Sequence, residues 1–490
     1  MIKKIMLSLL LFLPLSSHAQ RLLTLDSCRA MALRNNKQIS VSKAKQDVAA
    51  NLRKSARTKY LPHVGALGGY VYTSKEVSIL NDDQKSELSN LGTNAATQLQ
   101  TALTPYASIL PPALQSKLVS DLGVAAASLN QTGQGIVDAL RTDTRNMFAG
   151  AVYFTQPIFM GGAIVAMNKM ADINEDLAAN SLEAKRQSTL FSIDQAYWQV
   201  VSLRHKEKLA QSFVELVKKL DNDVQKMVEE GVATKSDRLN VSVKVNEAEM
   251  ALMKVTDGLV LSKMLLCQLC GLPVNEQVTL ADEDAEELTS FSDQGQSVAL
   301  RTLSPLTFEN RPELKMLQNT VDLSHQATNL LKAGNLPQVL LTGGYAVSNP
   351  NTFNGFEKKF AGFWNIGVMV HVPIWNWGDV RYKVRAAKGA TTIARLELNE
   401  AREMIELQVN QKSFLVNEAS KKLAMAQSNI AHAEENLRTA NLGFKEGVIS
   451  STTVIEAQTA WLQAMSQKID AEIEVKLSQV ELQKALGTLE

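Results

Sequence analysis

Glu230-Gly231-Val232-Ala233-Thr234-Lys235-Ser236-Asp237 recurs 216 positions later as Glu446-Gly447-Val448-Ile449-Ser450-Ser451-Thr452-Thr453. Each octet interrupts a long stretch rich in Ala, Leu, Glu, Lys, Gln and Met, which are good helix formers. Between Ala163 and Glu230 there is neither Gly nor Pro, and Pro373 is the last proline of the chain. A continuous helix of that length runs about 100 Å at 1.5 Å per residue. Phe213, Val217, Leu220, Val224 and Met227 follow a 4-3-4-3 spacing, and so do Ile430, Ala433, Leu437, Ala440 and Phe444. That is the seam of helices packed on one another over many turns. Gly231 and Gly447 suit the left-handed position that ends a helix, and the Thr and Ser residues beyond them suit the cap of a returning one. The sequence therefore predicts two helical hairpins, over 163–270 with a tip near 231 and over 379–487 with a tip near 447.

The repetition extends outward from the tips. Pro157-Ile158 recurs as Pro373-Ile374, Gly162 as Gly378, Ala210-Gln211-Ser212 as Ala426-Gln427-Ser428 and Gly271 as Gly487, all 216 apart. Upstream, Leu61-Pro62 recurs as Leu336-Pro337 and Gly68-Gly69-Tyr70 as Gly343-Gly344-Tyr345, 275 apart. The chain is thus internally duplicated, with a first repeat over 20–271, a linker over 272–308 and a second repeat over 309–490. The two offsets differ by 59 residues, so one large insertion lies in the first copy, at about 74–146.

Beside the prolines the period changes from 3.6 to 2. Trp364, Ile366, Val368, Val370, Val372 and Ile374 alternate with Asn365, Gly367, Met369 and His371. This is the pattern of a strand with one face to lipid and one to a polar lumen. Strands are predicted at about 62–74, 147–159, 337–348 and 363–376, each long enough to cross a bilayer when tilted. Tyr70, Tyr72, Phe363, Trp364, Trp375 and Trp377 gather near the strand ends, where aromatic girdles sit. An ordinary two-sided sheet in a soluble domain is the plainer alternative. Four strands cannot close a barrel, and an open edge is not tolerated in lipid, so membrane insertion requires an oligomer.

Met1-Ile2-Lys3-Lys4, the short apolar run from Ile5 to Pro14 and Ser17-His18-Ala19 have the form of a secretory signal peptide over residues 1–19. The formal net charge is +1, with both signs interspersed, which argues against nucleic acid as a partner. Cys267-Gln268-Leu269-Cys270 has redox or zinc spacing but lacks a second ligand pair, and reads as buried thiols. His63 and His371 fall on the polar strand faces with no further ligands. The sixteen methionines fall mostly at helical core spacing. There is no paired-carboxylate, nucleophile or phosphate-loop constellation, so no enzyme, metal site or cofactor is expected.

Leu23-Thr24-Leu25-Asp26-Ser27-Cys28, continuing to Ala32-Leu33-Arg34-Asn35-Asn36, resembles the opening motif of the TolC-like outer-membrane efflux proteins. The Gln156-Pro157-Ile158-Phe159-x-Gly161-Gly162 turn, the two tips and Ala485-Leu486-Gly487-Thr488-Leu489 are similar to that family as well. The resemblance covers essentially the whole mature chain. It implies a mainly α fold with transmembrane β: a homotrimer whose four strands per protomer close a 12-stranded outer-membrane β-barrel, continued by a 12-helix periplasmic α-barrel. Pro157 and Pro373 would be the kinks where strand becomes helix, and the insertion would lie at the cell exterior. The implied function is passive conduction, without catalysis, from an inner-membrane transporter through a periplasmic adaptor (a membrane fusion protein) across the outer membrane of a Gram-negative bacterium. Cargo is a drug, another small molecule or, in a type I secretion duct of the same fold, a polypeptide. An alternative of another class is a periplasmic coiled-coil adaptor or scaffold.

In that family the tips dock the adaptor, which would assign Gly231, Val232, Ala233, Thr234, Gly447, Val448, Ile449 and Ser450. Gate residues carry over less completely. Asp237 matches an acidic position, but the basic position opposite is Ile449. Phe444 stands at an aromatic site without a hydroxyl. Of two acidic positions past the second tip, the first is Thr453 and the second is Glu456. A three-fold ring of Glu456 or Asp237 would favour cations; solvated carboxylates meeting a helix dipole are the plainer reading.

Overall fold

The computed structural model describes residues 21–76, 78–105, 111–141, 144–285, 308–354 and 357–489. The signal peptide expected over 1–19 and residues 286–307 of the linker lie outside the described residues. In chain order the elements are β1 Arg21–Leu23, α1 Leu25–Asn35, α2 Lys37–Arg57, β2 His63–Tyr72, α3 Asp82–Ser89, α4 Leu91–Leu103, α5 Pro112–Ala139 and β3 Asn146–Met160. Then follow α6 Ala163–Glu229, α7 Lys235–Cys270, β4 Val278–Leu280, α8 Pro312–Lys332, β5 Gln338–Asn349, β6 Ala361–His371, α9 Asp379–Lys445 and α10 Ser451–Leu486. The duplication is visible in the lengths. The long hairpin arms α6 and α9 both have 67 residues, and the returning arms α7 and α10 both have 36. The leading helices α2 and α8 both have 21.

The described residues divide into two units, a helical one drawn from 21–56, 166–285, 308–329 and 381–489, and one centred on the sheet and drawn from the described residues of 57–165 and 330–380. In the helical unit, Val217, Leu220, Val224, Val241, Ala440, Phe444, Val454 and Ala457 form one buried cluster drawn from all four hairpin arms. Burying one such Val, Leu or Phe contributes about 1.5–3 kcal/mol, so the seam read from spacing is what joins the two hairpins near their tips. A larger cluster, with Tyr197, Ile193 and Val200 of α6, gathers Cys28 and Ala32 of α1, Leu266 of α7 and the short parallel pair β1–β4.

The sheet unit is a four-stranded antiparallel sheet in the order β2-β3-β5-β6. Direct cross-strand partners share a face, so the register tests the alternation. One row reads Ala66, Val152, Tyr345, Trp364 and the next reads Val64, Phe154, Gly343, Ile366. On the other face the rows read His63, Thr155, Thr342, Gly367 and Gly65, Tyr153, Gly344, Asn365. The apolar residues of the first two rows therefore share one side, where Val64, Trp364 and Ile366 are 71%, 75% and 63% accessible, while the other side mixes polar rows with an apolar one of Leu67, Ala151, Ala346 and Phe363. Among the described residues, no helix is long and apolar enough to cross a membrane.

The strand-to-helix turns fall later than the prolines. Pro157 lies inside β3, where a bulge shifts the register between Pro157 and Phe159, and the chain turns at Gly161-Gly162. In the second copy β6 stops at His371, Pro373 follows it off the ladder, and the turn is at Trp377-Gly378, both with positive φ. The physical reason is a division of labour: proline removes an N–H and disrupts the ladder, whereas the reversal needs left-handed backbone.

Candidate functional site

The two hairpin tips are built alike. Gly231 takes φ 78° and Gly447 φ 72°. The Gly231 N–H donates to the Val228 carbonyl at 3.1 Å and the Val232 N–H to that of Met227 at 2.8 Å. The second tip repeats this, from Gly447 to Phe444 at 3.0 Å and from Val448 to Gly443 at 2.9 Å. Both are Schellman endings, which satisfy carbonyls that a bare helix end would leave orphaned. Helix α7 then starts on Thr234, whose Oγ1 accepts from the Asp237 N–H at 3.2 Å, while Asp237 accepts from the Thr234 N–H at 3.0 Å. Helix α10 starts on Ser450, which accepts from the Thr453 N–H at 3.3 Å. The apex of each tip is an exposed valine, Val232 at 69% and Val448 at 82%.

The gate candidates separate by environment. Asp237 is engaged in its own capping box, and the Thr234 hydroxyl and N–H hold its carboxyl below the usual carboxylate range. Phe444 is buried in the cluster that joins the hairpins. Thr453 and Glu456 are exposed on the first turns of α10. Ile449 packs back across its own tip: a Cβ on Gly443 would meet its side chain at 2.5 Å. The positions equivalent to Gly443 and Ile449 in the first copy are Met227 and Ala233, so the large and small residues are exchanged between the tips. Sequence reading placed Ile449 at the tip but missed this compensation, which only comparison of two pairs of positions exposes.

The three cysteines are free and buried. The Cys270 thiol hydrogen-bonds to Cys28, which lowers the Cys28 thiol and, with burial, raises that of Cys270; burial also raises Cys267. His63 and His371 lie on the polar face of the sheet, paired with Thr155 and Gln338. Among the described residues, no group of three or more His, Cys, Asp or Glu side chains comes together as a metal site.

The pattern that defines the outer membrane efflux protein family matches residues 116–272 and 303–488. The chain belongs to that family. It is 26% identical over 171 residues to outer membrane protein TolC of Vibrio cholerae, an overlap of 34% of this chain and 39% of the relative. It is 20% identical over 277 residues to the alkaline protease secretion protein AprF of Pseudomonas aeruginosa, covering 54% of each. The chain thus spans only about two fifths to half of these relatives' length. The match of fold is more complete. The Campylobacter jejuni CmeC outer membrane channel superposes with a TM-score of 0.72 at 15% identity, over 95% of this chain and 86% of that one. In this efflux-family chain the four strands and the two hairpins accordingly have the fold of a TolC-like outer-membrane channel chain.

Proposed function

We propose that the chain is one protomer of a homotrimeric outer-membrane exit duct that passively conducts drugs or other small molecules. The observation that carries this reading is the sheet. Its four strands share one exposed apolar face, and both edge strands, β2 and β6, are paired on one side only. In lipid such edges must be closed, and three copies of a four-stranded sheet close a 12-stranded barrel. Family membership supports the rest: a 12-helix α-barrel in the periplasm, a periplasmic adaptor, and an inner-membrane transporter that supplies the energy. The chain itself catalyses nothing.

The tips, Gly231 to Thr234 and Gly447 to Ser450, are the adaptor-docking surface, with Val232 and Val448 as its apolar points. Asp237, Phe444, Thr453 and Glu456 form the gate region. Phe444 keeps the bundle packed shut, while Glu456, solvated and near the start of α10, is the charge that a three-fold ring would present to cations. Deleting the gene tests the reading: sensitivity to several drugs rises, and extraction of the protein requires detergent and yields a trimer. Solubility without detergent, or a detergent-solubilised monomer, overturns it. Similarity to AprF keeps export of a polypeptide as a second cargo; unchanged drug sensitivity with loss of one secreted polypeptide would favour it.

A further inference from the structure

The insertion between β2 and β3 is a folded helical module. Helix α5 packs on α3 and α4 with Gln115, Leu122, Ala126, Asn130, Gly133 and Val137, the residues of its least exposed face. Contact there is close: a Cβ on Gly92 would lie 2.0 Å from the Ala126 carbonyl, and one on Gly133 would lie 1.9 Å from that of Leu88. The Asn130 side chain accepts from the N–H groups of Gly92 and Thr93 at 2.7 and 3.1 Å and donates to the Thr93 hydroxyl, fixing the start of α4. The module is anchored at its base, where Arg141 makes two hydrogen bonds to Glu76 at 3.0 and 2.9 Å and the Thr73 N–H donates to Arg145.

Beside that packed face α5 carries a second stripe. Leu118, Leu122, Ala125, Leu129, Thr132, Ile136 and Ala139 follow a 4-3-4-3-4-3 spacing, the seam of a coiled coil. Only Leu122 is shared with the packed face; Leu118, Leu129 and Ile136 are 38%, 42% and 41% exposed. The charged residues of α5, Lys117, Asp121 and Asp138, all lie off the stripe, and α4 has none. A seam of this period fits another helix rather than a strand.

We propose that the stripe of α5 packs on the same stripe of neighbouring copies, so that three insertions make a helical constriction at the mouth of the barrel. The inference rests on the trimeric reading above. The partner is a second copy because the module hangs on β2, an edge strand whose free side must meet another copy of this sheet. The interface between copies that closes the barrel therefore continues directly into the insertion. Self-association also brings no like charges together, since the stripe carries none. This places a narrowing at the end of the sheet where β2 runs into β3.

Cysteine cross-linking tests it in the full-length protein in detergent, because symmetry sets a seam residue beside its own copy. Leu129→Cys and Thr132→Cys lie on the stripe, and Ala127→Cys lies on the opposite side of α5. The wild-type protein, with all three cysteines buried, is the blank. Under mild oxidation the first two should give disulfide-linked dimers at several-fold the yield of Ala127→Cys, while light scattering shows a trimer for all three. A trimer with no cross-link at the stripe, or with equal yield on both sides of α5, overturns the inference and leaves the trimeric duct standing. A monomer overturns both.

Discussion

Arg29 and Asp194 form a two-point ion pair between α1 and α6: Nε and Nη2 of the arginine donate to the two carboxylate oxygens at 2.8 and 2.6 Å. Asp194 is wholly buried, and the Arg29 side chain is 21% exposed. Arg29 is therefore what makes a carboxylate tolerable in the middle of α6. Removing the arginine leaves an uncompensated buried charge, at a typical cost of about 3–5 kcal/mol. Arg29→Met should lower the denaturant midpoint correspondingly, and adding Asp194→Leu should recover most of the loss. If the double variant is no more stable than Arg29→Met, the pair does not hold α1 in place electrostatically.

One turn along α6, the hydroxyl of Tyr197 donates to Asp282. Burial, and then the neighbouring carboxylate, push the Tyr197 phenol above its ordinary value. The folded chain thus keeps a proton that the unfolded chain releases near pH 10. A pKa raised by folding gives stability that is complete below the unfolded value and is lost as pH rises beyond it. Urea midpoints should fall between pH 9 and 11, and Tyr197→Phe should flatten that fall while lowering stability at neutral pH. An unchanged alkaline slope in the variant would count against the assignment.

The same region shows what sequence could and could not display. The hairpins were legible because their signals are long: scores of residues without Pro or Gly, two sustained heptad seams and paired glycine stops. The strands were legible because the apolar parity of Trp364, Ile366 and Val368 continues across β5, β3 and β2. The parallel pair β1–β4 was not, since three residues on each strand carry no period. The turn at Trp377-Gly378 was hidden for a different reason: Pro373 is the conspicuous residue, yet the left-handed backbone lies four positions on. The burial of Phe444 was legible in its place on the second seam, whereas the capping role of Asp237 depends on the side-chain geometry it shares with Thr234.

Cys28, Cys267 and Cys270 should behave as core thiols. All three are essentially inaccessible; burial raises the Cys267 thiol, the hydrogen bond with Cys28 and then burial raise that of Cys270, and the Cys28 thiol, lowered by that same hydrogen bond, is kept from reagents by its burial. In native protein a maleimide should label none of them within the time that labels an exposed thiol completely. In denaturant it should label all three. Rapid native labelling at Cys267 would show that the end of α7 opens readily, contrary to its packing against α1 and β4.

Gly443 and Ile449 offer a direct test of the exchanged packing at the second tip. Alanine at Gly443 gains about 1 kcal/mol in helix propensity, but its methyl would sit 2.5 Å from Ile449 Cδ1 and 2.8 Å from Cγ1. The isoleucine must then leave the cover it gives the tip. Gly443→Ala alone should therefore be destabilising, and Gly443→Ala in an Ile449→Ala background should be stabilising. Contacting residues of this kind typically show coupling of about 0.5–3 kcal/mol. Hydrogen exchange at the amides of Val448 and Ile449, which donate to the Gly443 carbonyl at 2.9 and 3.2 Å, reads the local effect without requiring global unfolding. Protection there should drop in Gly443→Ala and return in the double variant. Strict additivity across the four proteins would show that Ile449 does not depend on the space that glycine leaves.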